Sequence, residues 1–277
     1  YTNVEGKNIT ITNAKNIKGA SDGASLGMKV TGTKAEDGSE TPGTITAKAA
    51  GNADITLFGE AASDAIDIEA EDLTITSRGN ISNGNYQAMK ALHVHTAKNN
   101  TISGGNFSGG TADITNAGKM SGGAYTAKGD LTYTDSENAS LSGSDFTSEE
   151  GNVKVTAKGQ LALKKLSAKE HAELTSGGAM TLDNASADTL TAKAGTTLDA
   201  TKIHTAGDAG LASGSDMILH EAEAGGKLTM SAGGSISVKG TDAKISGSTI
   251  KMTAKEDIRV TDRSPVGKLD GVDTSVP

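Results

Sequence analysis

Two histidines separated by one residue, His93 and His95, are the residues in this sequence whose spacing best suits metal binding. In a β-strand the side chains of residues i and i+2 point to the same side, so this pair can supply two imidazole ligands to one metal ion. The sequence suggests no third ligand nearby, and we expect the neighbouring Leu92 and Val94 to face a core. We therefore predict a solvated strand face here rather than a metal site.

A group of carboxylates lies close together in the sequence, at Asp64, Asp67, Glu69, Glu71 and Asp72. Outward carboxylates on a strand can bind calcium or act as the acid and base of glycoside hydrolysis. The alternative is a solvated face that keeps the protein soluble and discourages side-by-side association, and the sequence favours this alternative. If the cluster were catalytic, the double substitution Asp67→Asn with Glu69→Gln would abolish an activity.

The other residues with chemical potential form no recognisable arrangement. The glycine-rich pieces 103–110 and 119–125 lack the G-K-[ST] ending of a phosphate-binding loop. No Ser/His/Asp arrangement can be assembled, and the aromatic residues, which would form sugar-binding platforms, are scattered along the sequence. We therefore predict no catalytic residue, no metal site and no cofactor.

The composition argues against one large globular core. Among the 277 residues, aromatics make up 3% and hydrophobic residues 35%, with 36 glycines and neither Trp nor Cys. The formal net charge of −8 argues against a nucleic-acid partner, which would require a basic stripe with stacking aromatics. No run of about 18 apolar residues is present, so we predict no membrane span. The lack of an initial Met predicts a mature product or a fragment of a longer protein.

Short stretches that alternate apolar and polar residues recur along the chain, separated by Gly, Asn or Asp. The clearest examples are GDLTYTD (129–135), GNVKVTAKGQLAL (151–163), AELTSGGAMTLD (172–183), DTLTAKAGTTLD (188–199), GLASGSDMIL (210–219), GGKLTMSAGGSISV (225–238) and STIKMTAKEDIRV (248–260). Alternation at period two predicts strands, and recurrence at a fixed period predicts a solenoid. We therefore predict an all-β parallel solenoid with about 20 residues per coil and about 13 coils.

We expect residues 1–261 to form a single β-solenoid and residues 262–277 to form a C-terminal tail or cap. Irregular or extended coils are predicted near 21–42, where a loop interrupts the pattern, and near 83–110. Residues 86–92 and 161–174 contain helix-favouring residue types. We nevertheless predict a strand over 91–97. Both neighbours of 161–174 are repeat units, so we predict strand–turn–strand there.

Repeat pieces such as 129–135, 151–163 and 225–238 resemble the G-(N/D)-(L/I)-x-(L/V)-x-A-x-G repeats of filamentous haemagglutinin-like proteins, the large bacterial exoproteins of two-partner secretion. The resemblance covers roughly two thirds of the chain, most clearly 111–261. It implies a right-handed parallel β-helix, export through the outer membrane, and a role as an adhesin or as the rod that carries one. Autotransporter passenger domains have similar repeats.

Three functions are compatible with the sequence. The first is a non-enzymatic bacterial rod, extracellular or at the cell surface, that acts as an adhesin segment or stalk and contacts surface glycans or proteins of a host or neighbouring cell. The second is a subunit that binds copies of itself end to end in an extracellular filament, because a repeat-like unit begins almost at the start of the chain. The third is a polysaccharide-processing β-helix enzyme, which requires a cluster of carboxylates on one face.

Overall fold

A computed structural model describes residues 2–6, 8–19, 25–30, 33–34, 40–41, 44–58, 61–62, 66–135, 140–240, 243–261 and 272–275. The chain winds into a parallel β-solenoid of about 11 turns with roughly 19 residues per turn and no helix. The prediction of an all-β parallel solenoid is therefore confirmed.

The described strands, in chain order, are β1 (Thr2–Gly6), β2 (Asn8–Ala14), β3 (Leu26–Val30), β4 (Thr33–Lys34), β5 (Glu40–Thr41), β6 (Thr44–Ala49), β7 (Ala53–Phe58), β8 (Ala61–Ala62), β9 (Ile66–Ala70), β10 (Leu73–Ser77), β11 (Ile81–Ser82), β12 (Asn85–Ala88), β13 (Ala91–Thr96), β14 (Thr101–Ser103), β15 (Asn106–Gly109), β16 (Thr111–Asn116), β17 (Lys119–Ser121), β18 (Ala124–Ala127), β19 (Leu131–Asp135), β20 (Ser140–Ser148), β21 (Val153–Ala157), β22 (Leu161–Ala168), β23 (His171–Ser176), β24 (Met180–Ala187), β25 (Thr189–Ala194), β26 (Leu198–Thr205), β27 (Ala209–Ser213), β28 (Met217–Ala224), β29 (Lys227–Ala232), β30 (Ile236–Lys239), β31 (Lys244–Ser246), β32 (Thr249–Ala254), β33 (Ile258–Thr261) and β34 (Val272–Ser275).

These strands form two long parallel sheets that enclose one core. Sheet A has the order β1-β3-β7-β10-β13-β16-β19-β21-β23-β25-β27-β29-β32-β34, and sheet B contains 18 strands, including β6, β9, β12, β15, β18, β20 and β22. Apolar side chains alternate into the space between the sheets, so that Ile66, Ile68, Leu73 and Ile75 are each at most 2% exposed. Each coil adds a few such residues to a single long core, which is how a chain with few aromatics can fold.

The two segments predicted to be irregular, 21–42 and 83–110, differ in the spacing between their coils. Leu26 of β3 pairs with Ile55 of β7, 29 residues later. The short antiparallel pair of β4 and β5 lies within this long step, while residues 20–24, 35–39 and 42–43 lie outside the described residues. In the segment 83–110, by contrast, Leu92 pairs with Ala112, 20 residues later, so these coils keep the ordinary spacing.

The other predictions about local structure can be compared directly. Residues 91–96 form β13, and residues 161–168 and 171–176 form β22 and β23, which confirms strand over helix at both places. In the predicted tail, β34 pairs in parallel with β32 and so extends sheet A. The rest of 262–277 lies outside the described residues.

The aromatic residues are not scattered in the folded chain. Tyr86, Phe107, Tyr125 and Phe146 occupy the same register position in β12, β15, β18 and β20. The ring centroids are 4.5 Å apart for the first pair and 4.8 Å for the second, with nearly parallel planes, and the third pair is edge-on at 5.2 Å. We call this buried column the aromatic ladder.

A sharp bend precedes each ring of the aromatic ladder. The bends at Asn83–Gly84, Gly104–Gly105, Gly122–Gly123 and Gly143 all have positive φ angles, between 57° and 103°. A Cβ atom on Gly84 would lie 2.9 Å from the ring of Tyr86, so the close approach as well as the backbone angle requires glycine. The first three bends each divide the sheet B segment of their coil into two short strands, whereas β20, which contains the bend at Gly143, and β22 are continuous.

The last residue of several sheet A strands is a buried polar residue. In four consecutive coils this position is occupied by Ser77, Thr96, Asn116 and Asp135, which pair in register and are each at most 2% exposed. The Asn116 Oδ1 accepts a hydrogen bond from the backbone N–H of Gly118 at 3.0 Å. The Ser77 hydroxyl donates a hydrogen bond to the Gly79 carbonyl at 2.6 Å. Ser77 and Asn116 therefore satisfy main-chain groups where the coil turns from sheet A towards sheet B, whereas the buried Thr96 hydroxyl has no hydrogen-bond partner in the described structure.

We expect Asp135→Ala to lower the free energy of unfolding by about 2 kcal/mol. The Asp135 Oδ2 accepts hydrogen bonds from the backbone N–H groups of Lys158 at 3.0 Å and Gly159 at 3.4 Å. Removing the acceptor leaves two part-buried donors unsatisfied, whereas Asp135→Asn keeps one oxygen in place. Chemical denaturation of the three proteins tests this, and equal stability of the Ala and Asn variants would contradict it.

Candidate binding face

The structure places His93 and His95 together on the outer face of β13, as the i, i+2 spacing requires. The His93 Nδ1 lies 3.7 Å from the Asp113 Oδ2 on the next coil, and the His93 side chain is 44% exposed. Across the described part of the chain, no group of three His, Asp or Glu side chains is gathered in an arrangement that could hold a metal ion. The pair therefore forms part of an outward polar surface.

The carboxylates of the predicted acidic cluster separate into two places. Asp67 and Glu69 lie on the outer face of β9, where both contact Lys48 of the preceding coil, with nitrogen–oxygen distances of 3.3 and 2.8 Å. The hydrogen bonds to Glu69 and then Asp67 raise the pKa of Lys48. This lysine therefore holds two carboxylates that the sequence alone presents as an unpaired acidic stretch.

The remaining members of the cluster lie where β9 turns into β10. The Glu71 carboxylate contacts the Lys90 ammonium at 2.6 Å. The Asp72 Oδ1 accepts a hydrogen bond from the backbone N–H of Ala91 at 3.1 Å. Asp64 lies outside the described residues. Four of the five predicted carboxylates thus make contacts from one coil to the next.

Ion pairs between adjacent coils recur farther along the solenoid. Lys154 contacts Glu173 at 2.9 Å across β21 and β23, and Lys202 contacts Glu221 at 3.2 Å across β26 and β28. Opposite charges in the same register on neighbouring parallel strands attract, whereas like charges there would repel. This pattern favours one register of coil stacking over its alternatives.

We expect Glu173 to make the stability of the protein depend on pH. The hydrogen bond from Lys154 lowers the pKa of Glu173 below its ordinary value of 4.5. A carboxyl with a depressed folded-state pKa stabilises the fold above its unfolded pKa, and this contribution disappears as the pH falls through the folded pKa. Thermal unfolding from about pH 6 to about pH 3 should show a smaller acid-induced decrease for Glu173→Gln than for the unchanged protein. Identical pH profiles would contradict this.

A groove of about 790 Å³ opens on the outer face of sheet B beside the first two bends. We call it the kink groove. It is lined by Thr44, Thr46, Ile66, Asp67, Asn83, Gly84, Asn85, Gly105 and Asn106. These residues come from four consecutive coils, because β6, β9, β12 and β15 pair with one another in that order. The groove therefore runs along the solenoid, and at about 4.8 Å per coil it is about 14 Å long.

The polar side chains of the kink groove stand in one column. Thr46, Asp67, Asn85 and Asn106 are register partners on successive strands. The Asn85 Nδ2 donates a hydrogen bond to the Asp67 Oδ1 at 3.1 Å, and the Asn85 Oδ1 accepts one from the Gln87 Nε2 at 3.3 Å. These contacts orient the carboxylate and the amide before any ligand arrives, which reduces the entropy lost on binding.

Sequence reasoning found Asp67 but missed Asn85 and Asn106. A signal was present, because the phrases ISNGNY (81–86), ISGGNF (102–107), MSGGAY (120–125) and LSGSDF (141–146) repeat one pattern. In this pattern an apolar residue and Ser precede the bend, and an aromatic residue follows it. The residue directly before the aromatic is therefore outward, and in two of the four coils it is Asn.

Comparison of the chain with protein-family models, curated proteins and solved structures finds no match. The fold defines the class of the protein, a parallel β-solenoid. The likeness to filamentous haemagglutinin-like repeats stays a prediction from the sequence. In the described part of the chain no helix has the length and apolarity needed to cross a membrane.

Proposed function

We propose that the chain is a non-enzymatic rod of a secreted or surface-exposed bacterial protein and acts as an adhesin segment or stalk. The observation that carries the proposal is the continuous stack of about 11 coils around one core. At about 4.8 Å per coil, this stack is about 50 Å long. A stack of similar coils provides length and stiffness, which is what a protein that reaches a distant surface requires.

The outer faces of the two sheets support the same proposal. Lysine, carboxylate, threonine and asparagine side chains cover them, and cross-coil ion pairs such as those of Lys48 and Lys154 keep neighbouring charges balanced. A surface of this kind makes many weak polar contacts with glycans or proteins of another cell, and repeated weak contacts add up through avidity. The carboxylates Asp67 and Glu69 already share one lysine, which favours a binding surface over a free catalytic pair.

Electron microscopy of the purified chain across a range of concentrations tests the rod. We expect single short rods whose length does not change with concentration. Long filaments with a uniform axial repeat would overturn the stalk proposal in favour of the filament subunit, which binds copies of itself end to end. Adherence of fluorescently labelled protein to cultured host cells and to bacterial cells then tests the adhesin role, and labelled protein that binds neither cell surface would leave only the stalk.

A further inference from the structure

We propose that the kink groove binds a neutral, hydroxyl-rich oligosaccharide. The inference rests on the proposed adhesin role and identifies the site and the class of ligand. The groove has the volume and length for about three sugar residues. One pyranose ring is as long as one spacing between adjacent strands, about 4.8 Å. The four side chains of the groove's polar column are therefore spaced at about the length of one sugar residue and can contact each of the three in turn.

The donors and acceptors of the groove match sugar hydroxyls. Each hydroxyl group donates one hydrogen bond and accepts others. Two neighbouring hydroxyls therefore pair well with an amide, which has a donor and an acceptor, or with a carboxylate, which has two acceptor oxygens. The Asp67 carboxylate supplies acceptors, and the Asn85 and Asn106 amides supply both functions. The Thr44 and Thr46 hydroxyls add weaker partners at the end of the groove formed by β6.

The charges at the groove favour a neutral ligand. Lys48 contacts both Asp67 and Glu69, so the three side chains together carry one negative charge. A sulfated or uronic-acid-rich glycan would place its own negative charges beside this excess and be repelled. The same argument disfavours a nucleic-acid backbone.

The position of the groove on the sheet disfavours a peptide. An extended peptide binds a sheet most readily by adding a strand at an unpaired edge. The strands β9, β12 and β15 are each paired with a strand on both sides, so their main-chain groups are already engaged. Apart from the bend glycines Gly84 and Gly105, the groove is lined by residues with side chains, and a ligand rich in hydroxyl groups makes the most of their polar groups.

The test uses the full chain labelled with ¹⁵N and titrated with defined probes. The neutral probes are the hexasaccharides of mannose, maltose-type glucose and cellulose-type glucose, and the acidic comparator is a heparin hexasaccharide. We expect at least one neutral probe to shift the side-chain amide signals of Asn85 and Asn106, with heparin much weaker. If no neutral probe shifts these signals, or heparin binds best, the inference is overturned.

Substitutions then locate the site. We expect Asn106→Ala to weaken binding of the neutral probe about tenfold, which is the effect of one lost hydrogen bond that leaves its partner unsatisfied. The fold should tolerate this change, because Asn106 is exposed and its register partner on the next coil is Ala124. Asn184→Ala is the matched control, because Asn184 is also exposed on the outer face of sheet B, several coils away. Unchanged affinity in Asn106→Ala, or equal losses in both variants, would overturn the inference.

The groove inference and the proposed rod function can fail independently of each other. If the labelled chain adheres to cells while no neutral hexasaccharide shifts the groove amides, the groove inference fails and the adhesin role stands. If the neutral probe binds at the groove but microscopy shows concentration-dependent filaments, the stalk proposal fails and the groove stands.

Discussion

We expect Phe107→Ala to lower the free energy of unfolding by about 3–5 kcal/mol. Phe107 is 1% exposed, and its ring lies between those of Tyr86 and Tyr125 with centroid distances of 4.5 and 4.8 Å. Truncation leaves a cavity between two rings, and the parallel pairing of β12, β15 and β18 holds these rings at their register positions. Because coils interact only with their neighbours, the effect should concentrate in β12, β15 and β18.

Hydrogen exchange of the backbone amides measures this local loss, and denaturant unfolding measures the total. Phe107→Leu is the control that removes the ring but loses less volume, and it should lower the free energy of unfolding by less than Phe107→Ala. A leucine fits this column, because Leu166 pairs with Phe146 there. Tyr125→Phe is the control for ring retention. The Tyr125 hydroxyl is buried and has no hydrogen-bond partner in the described structure, so its removal should leave stability unchanged or raise it. Faster exchange spread evenly over all coils of Phe107→Ala would contradict the ladder's local role.

The period-two pattern was sufficient to predict the parts of the fold that depend on single strands. Ile66, Ile68, Leu73 and Ile75 alternate with polar residues, and each is buried as that alternation requires. The repeat length then predicted stacking, because one coil cannot bury its own apolar face. Residue type and spacing within one strand carry this information, so no knowledge of other coils is needed.

Contacts between coils were harder to predict, because they depend on register. Phe107 follows Tyr86 by 21 residues, while Tyr125 follows Phe107 by only 18. With unequal coil lengths, a fixed period does not align these rings, and they look unrelated in the sequence. The turns from sheet A to sheet B absorb much of the difference, because four residues (97–100) separate β13 from β14 and two (117–118) separate β16 from β17. The alignment therefore becomes visible only when the strand pairing is known.

The candidate site shows the same limit. Asp67 and Glu69 were visible as an acidic stretch, but Lys48, which contacts both, lies on the preceding coil and has no sequence signal that connects it to them. Asn85 and Asn106 were hidden in phrases interpreted only as glycine-rich corners. A polar surface on a solenoid is assembled from residues one coil apart, so the sequence within one strand shows only a narrow strip of it.

The second large effect is expected at the corners of the solenoid, where Gly195→Ala should destabilise the protein by about 3 kcal/mol. A Cβ atom built on Gly195 would lie 2.1 Å from the carbonyl oxygen of Gly177, on the preceding coil. Gly214 would meet Gly195 at 2.0 Å and Gly233 would meet Gly214 at 2.1 Å in the same way. These four glycines form a column in which the main chains of successive coils lie too close for any side chain.

The clash cannot be relieved by a side-chain movement, because the atom that the new methyl group meets belongs to the main chain. The two coils must move apart at this corner, which stretches the hydrogen bond that the Gly195 N–H donates to the Ser176 carbonyl at 2.8 Å. The damage should therefore spread into β23 and β25. These two paired strands of sheet A end at this corner, where Ser176 is the register partner of Ala194. Faster hydrogen exchange confined to these strands and their neighbours is the expected observation.

Gly210→Ala provides the matched control, one coil farther along. A Cβ atom on Gly210 would have only the Leu190 carbonyl oxygen near it, at an ordinary 3.9 Å, and Gly210 lies within strand β27. There the substitution reduces the conformational freedom of the unfolded chain without a clash, so stability should rise by about 0.5 kcal/mol. The same chemical change is thus expected to have opposite signs at Gly195 and Gly210. Equal stability of the two variants would contradict this prediction. It would mean that the corner positions require glycine for its backbone conformation alone and not for the close stacking of coils.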